Sequence, residues 1–415
     1  MPQTEIIKIN ATEILDSRGN PTVFCKVTLA SGAFGCASVP SGASTGKFEA
    51  HEKRDGGARF GGRGVQSVCE KIETELSEVL RGKDAANQKL IDGALIRADG
   101  TPDRSAYGAN ALLAVSLACA RASSNAYGLP LYRYLGGIYG THMPVPMMNV
   151  LNGGAHAGNN VDIQEFMLVP IGAESFRDGV RMCAEIYTHL RALLCKAGHS
   201  TAVGDEGGFA PNLKSDEEAV KFLCEAIAGA GYDTENVKIA LDVAASEWAC
   251  GDGKYTLKKS GESLTADALC EKFRLLAEKY PILSIEDPVG EEDTVAWQKV
   301  TETLGGKMML VGDDLFVTDA HRISVLSEQK CANAVLIKPN QRGTLSEAIA
   351  ALRFAKKSGY KTIVSHRSGD TEDAFIADLA VAANADFIKA GAPARGERVA
   401  KYNRLLEIEQ EICFL

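Results

Sequence analysis

Short apolar runs recur through the second half of this chain of 415 residues, and each ends on a charged or ionisable residue. Apolar runs of this length that alternate with helical stretches are typical of parallel βα units. Closing such units into a barrel places the carboxyl ends of the strands on one face. One charge after a strand usually belongs to a solvated loop, but a whole series is hard to explain in that way. The terminal residues of the runs are Asp242, Glu286, Asp313, Lys338, His366 and Lys389.

The first part of the chain follows a different pattern. Residues 6–15 and 22–29 read as strands around the turn at 16–21, and the spacing of apolar residues over 65–79 predicts an amphipathic helix. We therefore expect an α/β protein with two parts. Residues 1–140 would form an α+β capping domain, and residues 141–415 a TIM-type βα barrel that carries the active site.

Charge and composition narrow the range of functions that the chain can have. The formal net charge is −9 and no basic stripe is present, which argues against a nucleic-acid partner. The 11 cysteines are scattered without a CxxC pair, so neither a disulfide framework nor a zinc site is predicted. The N-terminus lacks the apolar core of a signal peptide, and no apolar run reaches membrane-spanning length. These features predict a cytoplasmic protein without a membrane span.

Three carboxylates end three successive runs, at Asp242, Glu286 and Asp313. Oxygen ligands without histidine or cysteine favour Mg²⁺ and leave positions open for substrate oxygens. The alternative is that the acids only form salt bridges with Lys338 and Lys389, but two lysines cannot neutralise all of the neighbouring acids. Those further acids are Glu165, Asp205, Glu206, Asp287 and Asp314.

The same residues suggest a reaction. Burial and a nearby metal would lower the pKa of Lys338, which makes it a candidate general base. Proton abstraction beside a carboxylate piles charge on its oxygens, and Lys389 together with Mg²⁺ would stabilise that charge. Glu206, in a glycine-flanked loop, is a candidate acid for a departing hydroxyl. The combination indicates a dehydratase.

Eight motifs in order resemble the enolases, the phosphopyruvate hydratases of glycolysis, and the resemblance runs almost end to end. The motifs are DSRGNPTV (16–23), PSGASTG (40–46), NGGAHAG (152–158), QEFM (164–167), GDEGG (204–208), SIEDP (284–288), GDDL (312–315) and SHRSG (365–369). The resemblance implies Mg²⁺-dependent, reversible dehydration of 2-phospho-D-glycerate to phosphoenolpyruvate. It also implies two Mg²⁺ ions in each active site.

The resemblance also implies catalytic roles. Lys338 matches the base that acts on C2, and Glu206 matches the acid, assisted by Glu165. Lys389 matches the lysine beside the substrate carboxylate. His366 matches a histidine on the substrate side of the site.

Binding roles follow in the same way. Arg367 and Ser368 match the pair that binds phosphate, while His156 and Gln164 match substrate-side positions. Ser44 matches the residue that closes over the substrate and helps to bind the second Mg²⁺. The first Mg²⁺ would be held by Asp242, Glu286 and Asp313.

Three departures from the family pattern fall near the pocket motifs, namely Arg342, Asp370 and Ala390. They motivate an alternative, a paralogue that acts on a related phosphorylated or phosphonylated acid. A catalytically silent binding protein is a further alternative. Its signature would be loss of the base or of a metal ligand, and both are retained.

Two further departures concern assembly. Phe24 and Glu407 stand where the family has a Glu and an Arg that pair across its dimer. Replacing both members of an ion pair can be close to neutral. We therefore expect a homodimer, or a higher homo-oligomer, with a more apolar contact that is less sensitive to salt.

Overall fold

The computed structural model describes residues 3–251 and 253–413. An antiparallel sheet of three strands comes first, in the order β1 (Ile6–Leu15), β2 (Pro21–Leu29) and β3 (Phe34–Ser38). Alternate residues of β2, from Val23 to Leu29, are fully buried beneath the helices that follow, as expected for a sheet with one covered face. The helices are α1 (Gln66–Lys71), α2 (Ser77–Leu80), α3 (Gln88–Asp99), α4 (Ala109–Ala126) and α5 (Leu131–Gly136).

The helix predicted over 65–79 is confirmed, with one irregularity. A π-helical turn, Ile72–Leu76, joins α1 to α2, so the ladder of hydrogen bonds changes spacing in the middle. The longest helix of this part, α4, packs against β2 and β3 and is buried along most of its length.

A closed barrel of eight strands follows. Its interior is filled by apolar side chains such as Met147, Met167 and Leu336, so it is a packed core and not a pore. The predicted α/β fold, a barrel preceded by a smaller α+β domain, is confirmed. In chain order the barrel strands are β4 (Val145–Asn152), β5 (Glu165–Val169), β6 (Lys238–Asp242), β9 (Ile282–Glu286), β10 (Met309–Gly312), β11 (Ala334–Ile337), β12 (Lys361–Ser365) and β13 (Phe387–Lys389).

One strand departs from the expected all-parallel arrangement. β5 runs antiparallel to both of its neighbours, β4 and β6, whereas the other neighbouring pairs are parallel. The start of β5 therefore lies beside the ends of the others, and Glu165 pairs in register with Asp242. The prediction that every strand contributes its carboxyl end to the site is wrong for this strand.

Helices surround the barrel, and a hairpin of β7 (Lys254–Thr256) and β8 (Ser263–Thr265) lies at its edge. No helix in the part of the chain that the structure describes is both long and apolar enough to cross a membrane. The surrounding helices are α6 (Phe176–Lys196), α7 (Asp216–Gly229), α8 (Ala266–Lys279), α9 (Thr294–Leu304), α10 (Ala320–Glu328), α11 (Leu345–Lys357), α12 (Phe375–Ala382) and α13 (Gly396–Cys413).

Charged contacts join the sheet domain to the barrel. Arg121 of α4 donates through both guanidinium nitrogens to Asp373, at 2.6 Å each. Asp373 also accepts from the backbone N–H groups of Ser38 and Phe375. The carboxylate thus ties a strand and a helix of the first domain to the start of α12.

Candidate active site

The residues predicted for the site converge at the mouth of the barrel. They surround a small cavity of about 20 Å³, which has room for about one water molecule. Glu286 does not line the cavity but contacts a lysine that does. The predicted residues in the lining are Ser44, His156, Gln164, Glu165, Glu206, Asp242, Asp313, Lys338, His366, Arg367, Ser368 and Lys389.

Lys389, the last residue of β13, is buried among three carboxylates. Its Nζ lies 3.0 Å from Asp242 Oδ2, 2.9 Å from Glu286 Oε2 and 3.2 Å from Glu165 Oε1. Burial alone would lower the pKa of Lys389, but these carboxylates outweigh burial and raise the pKa well above its ordinary value. Lys389 is therefore a permanent positive charge at the floor of the site.

Lys338 follows β11 and donates to Asp313, whose other oxygen accepts from Gln341 Nε2 at 2.8 Å. Burial lowers the pKa of Lys338, yet the Asp313 charge reverses the effect and leaves the pKa above its ordinary value. The lowered pKa expected from the sequence is therefore absent from this state, because Asp313 is paired with the lysine itself.

Glu165 and Glu206 face each other across His156, whose Nδ1 lies 3.6 Å from Glu165 Oε1 and 3.5 Å from Glu206 Oε1. Burial, followed by the charge of Glu206, raises the pKa of Glu165 well above its ordinary value. Burial would also raise the pKa of Glu206, but His156, His366 and Arg398 hold it well below. The pKa values of these two neighbouring carboxyls are therefore pushed apart, as in sites where one carboxyl acts as an acid and the other as a base.

Hydrogen bonds fix the orientation of the groups around Glu206. Asn149 Nδ2 donates to Glu206 Oε2 at 2.9 Å. His366 Nδ1 lies 2.6 Å from Arg398 Nη1, which can only donate, so Nδ1 accepts and Nε2 carries the proton. That Nε2 faces Glu206 Oε1 at 3.6 Å.

Unpartnered polar atoms gather in the same cavity. Among the described side chains, buried atoms without a hydrogen-bond partner include Gln164 Oε1, Glu165 Oε2, His156 Nδ1 and His366 Nε2. Buried polar groups are nearly always paired in folded proteins, so a cluster of exceptions indicates a place where a ligand completes the bonds.

Two groups of described side chains have ligand atoms close enough together to hold a metal. One is His156 with Glu165 and Glu206, and the other is Asp287 with Asp313 and Asp314. The predicted triad of Asp242, Glu286 and Asp313 is not among these groups. Its carboxylates are held instead by the ammonium groups of Lys389 and Lys338.

Asp287 has a structural role in the site. Its two oxygens accept the backbone N–H groups of Asp313 and Asp314 at 3.0 and 2.9 Å. The residue also has a positive φ of 42°, an uncommon backbone conformation for a residue other than glycine. Asp287 therefore fixes the backbone that presents Asp313.

The opposite wall of the cavity carries Arg367 and Ser368. Ser368 Oγ accepts from the backbone N–H of Ala43 at 2.6 Å, and Arg367 Nη2 donates to Ser44 O at 2.8 Å. Both contacts hold the glycine-rich loop at 40–46 over the mouth of the barrel. A carboxylate from just beyond this loop, Glu49, pairs with Arg367.

Arg398 is a site residue that sequence reasoning missed. It is fully buried on α13 and donates to Arg367 O and Ser368 O, at 2.6 Å each, as well as contacting His366. An arginine in a helix normally reads as a solvated residue, so the sequence pattern carried no signal for it.

The three departures from the family pattern lie outside the cavity lining. Arg342 Nη1 pairs with Asp319 Oδ2 at 2.9 Å, and Asp370 Oδ1 accepts from Lys401 Nζ at 2.9 Å. Ala390 is fully buried next to the strand end of β13. The side chains of Arg342 and Asp370 are therefore paired within the protein, and that of Ala390 is packed in its interior.

The positions expected at an oligomer contact lie near the surface. Phe24 is half-buried on the outer face of β2, opposite Thr12 and Ser38. Glu407 is exposed on α13, where it pairs with Arg404 at 3.2 Å.

Comparison with known proteins gives a consistent family. The model for the enolase N-terminal domain matches residues 6–135, and the model for the enolase C-terminal TIM barrel domain matches residues 140–414. A protein called Enolase from a Nitratiruptor species is 53% identical over 410 residues, which cover 99% of this chain and 97% of that protein. Another Enolase, from Natranaerobius thermophilus, is 53% identical over 408 residues, with 98% and 95% covered. The chain therefore belongs to the enolase family and is a lyase of the phosphopyruvate hydratase class.

Proposed function

We propose that this chain catalyses the Mg²⁺-dependent, reversible dehydration of 2-phospho-D-glycerate to phosphoenolpyruvate in the cytoplasm. The observation that carries the proposal is one cavity lined by buried lysines, by two buried carboxyls beside His156 and by unpartnered polar atoms. Two relatives named Enolase, similar over almost the whole chain, support the same reaction.

Lys338 is the proposed base that removes the proton from C2. Its ammonium group is held by Asp313, so Lys338 can accept a proton only when that ion pair is broken. Once Asp313 is engaged elsewhere, burial and the charges of Arg367 and Lys389 lower the pKa of Lys338.

Glu206 and Glu165 are the proposed acid side. Elimination of the hydroxyl needs a proton, and burial raises the pKa of Glu165, a carboxyl that lines the same cavity as Lys338. Because His156 Nδ1 lies within 3.6 Å of both carboxyls, we propose that it passes a proton between Glu165 and Glu206.

Lys389 is proposed to stabilise the substrate carboxylate as negative charge builds up on its oxygens. Its ammonium group is rigidly held by Asp242, Glu165 and Glu286, which removes the need for reorganisation during the reaction.

The acids of the mouth supply the oxygen ligands that divalent metal ions such as Mg²⁺ prefer. Burial and the neighbouring Asp242 raise the pKa of Glu286 well above its ordinary value, so the lysines alone leave negative charge uncompensated. We assign Asp242, Glu286 and Asp313 to one Mg²⁺ and Ser44 to a second. When bound, the ions would offset this charge and stabilise charge on the substrate carboxylate.

Arg367 and Ser368 are the proposed phosphate ligands, and His156, Gln164 and His366 the proposed neighbours of the rest of the substrate. A planar guanidinium suits two parallel contacts with a phosphoryl group. Gln164 Oε1 and His366 Nε2 have no hydrogen-bond partner. They are therefore free to form hydrogen bonds with the hydroxyl and the other polar groups of the substrate.

The paralogue alternative has no support from the site. Arg342 and Asp370 are paired with other residues, and none of the three departures lines the cavity. The test is a rate assay with purified protein, Mg²⁺ and 2-phospho-D-glycerate, followed by ultraviolet absorbance of the enol ester. Absence of signal at high enzyme concentration would overturn the proposal, and a panel of related phosphorylated and phosphonylated acids would then identify the substrate.

We propose a homodimer, with a domain boundary near residue 140. The boundary is supported by the end of α5 at Gly136 and the start of β4 at Val145. The dimer is supported by the half-buried Phe24 on the outer face of β2, whose remaining apolar area a partner would cover. Light scattering across protein and salt concentrations tests the assembly. A monomeric mass at micromolar protein, or dissociation as salt rises, would contradict it.

A further inference from the structure

Arg367 already holds an anion, and that anion is part of the chain. Its Nη1 donates to Glu49 Oε2 at 2.8 Å and its Nη2 donates to Glu49 Oε1 at 3.2 Å. The side chains are only 3% and 7% exposed, so solvent screens the pair weakly. This two-pronged geometry is the one that a guanidinium also uses for phosphate.

Glu49 is held in place by the loop that precedes it. Its Oε1 accepts from the backbone N–H of Gly46 at 3.1 Å and from Gln341 Nε2 at 3.3 Å. The loop touches the same guanidinium, because a Cβ at Gly42 would lie 2.0 Å from Arg367 Nη2. The carboxylate and the loop therefore cover Arg367 together.

Space exists for the carboxylate to leave. Arg367 lines the small cavity at the barrel mouth and also a second cavity of about 400 Å³ on the other side of the loop. Glu49 lines only the second cavity, together with Lys47 and His51, which offer positive or hydrogen-bonding groups. The small cavity of about 20 Å³ cannot admit a phosphorylated three-carbon acid without such a rearrangement.

We propose that Glu49 is an internal competitor for the substrate's phosphoryl group and so lowers the apparent affinity of Arg367 for it. The inference rests on the proposed function, which assigns the phosphoryl group to Arg367. A carboxylate and a phosphoryl group cannot use the same guanidinium edge at once, so binding is an exchange. Removal of the competing carboxylate should therefore raise the affinity of Arg367 for an anion.

The opposite role for Glu49 gives the opposite result. If the carboxylate merely orients Arg367 for phosphate, its removal would weaken phosphate binding, because the guanidinium would lose its support. The sign of the change in affinity therefore separates competition from orientation.

The experiment is a titration of the protein with inorganic phosphate in Mg²⁺ buffer, followed by ³¹P NMR, which suits millimolar affinities. In Glu49→Gln a neutral acceptor replaces the carboxylate, and we expect the Kd for phosphate to fall about tenfold, the scale of one charged hydrogen-bonded contact. Glu78→Gln is the control, since it removes an exposed carboxylate that pairs with Arg81 and not with Arg367. Its Kd should equal that of the wild type.

A second anion gives a second measurement. An internal competitor weakens every anion at the same guanidinium by the same factor, so Glu49→Gln should also lower the Kd for methanesulfonate about tenfold. An unchanged or raised Kd for phosphate in Glu49→Gln would overturn the inference. If Glu49→Gln does not fold, Glu49→Asp replaces it, because the shorter carboxylate cannot keep both contacts and should also lower the Kd.

These titrations do not depend on turnover. A normal rate with 2-phospho-D-glycerate and an unchanged phosphate Kd in Glu49→Gln would refute the inference alone. A lowered Kd in a protein that does not turn over 2-phospho-D-glycerate would refute the proposed reaction alone.

Discussion

Carboxylates are buried both at the domain junction and at the barrel mouth, but they meet different surroundings. At the junction, Asp373 receives both nitrogens of Arg121 and two backbone N–H groups. At the mouth, Asp242, Glu286 and Glu165 share the single ammonium group of Lys389. The number of available donors differs, while the residue type and the burial are alike.

The pKa values follow the supply of donors. Burial would raise the pKa of Asp373, but Arg121 lowers it below its ordinary value. Burial and Asp242 raise the pKa of Glu286, and the shared charge of Lys389 offsets this rise only in part. A carboxylate with enough donors therefore stabilises the fold, whereas one with too few donors leaves a place for a ligand.

The largest expected effect lies at the mouth. Lys338→Ala removes the proposed base, and turnover should fall by about 10²–10⁴-fold. The ultraviolet rate assay measures this loss, and far-ultraviolet circular dichroism checks that the fold is retained. A rate close to that of the wild type would show that Lys338 is not the base.

At the junction, Asp373→Asn should cost about 2–4 kcal/mol of unfolding free energy, because it leaves Arg121, whose side chain is only 23% exposed, without its charged partner. Urea denaturation measures the change, and turnover should stay within a few-fold of the wild type. Glu78→Gln is the control, since its pair with Arg81 is exposed on both sides and should matter by less than about 1 kcal/mol. Equal losses of unfolding free energy in the two variants would show that the pair at the junction contributes no more than the exposed pair.

Metal addition should stabilise the mouth and leave the junction unchanged. MgCl₂ at about a hundred times its Kd should raise the unfolding free energy by about 2.7 kcal/mol. Asp242→Asn should lose most of this gain, while Asp373→Asn should keep it. Urea titrations with and without MgCl₂ provide the measurement. Full metal stabilisation in Asp242→Asn would contradict its assignment as a ligand.

The smallest expected effect is the pH dependence of the stability that Asp373 contributes at the junction. The folded pKa of Asp373 lies below its unfolded value of about 3.9, so the contribution of its charge is fully present above that value. As pH falls below about 4, the unfolded chain takes up the proton first, and this contribution is lost at up to about 1.4 kcal/mol per pH unit. The stability difference between wild type and Asp373→Asn should be constant from neutral pH to about pH 5 and shrink below that. A difference that grows on acidification would show that the sign is wrong.

Much of the architecture was predictable because the local pattern of apolar residues largely determines which segments form strands and helices. Apolar runs that end in Asp242, Lys338 or Lys389 are strands because their period and length allow little else. The sequence also contains a signal for the direction of β5. A parallel connection needs a helical crossover, and the glycine-rich and asparagine-rich residues 153–164 have no helical pattern.

The pairing of side chains was not predictable in the same way. Whether Lys338 contacts Asp313 or another acid depends on packing that brings residues 25 positions apart together. The burial of Arg398 and the pair between Arg367 and Glu49 likewise depend on distant elements that fold against each other. These contacts set the pKa values, so the protonation states of the site follow from tertiary structure and not from motifs.

The reversed direction of β5 also affects the loop that precedes it. Because β4 ends and β5 begins at the mouth, residues 153–164 leave and re-enter the barrel on the catalytic side. Both ends of the loop are fixed by neighbouring strands, and the entropy cost of closing a loop grows only slowly with its length. The loop that carries His156 can therefore gain residues without altering the barrel beneath it, whereas a shift of one residue within β5 would turn Glu165 away from the site.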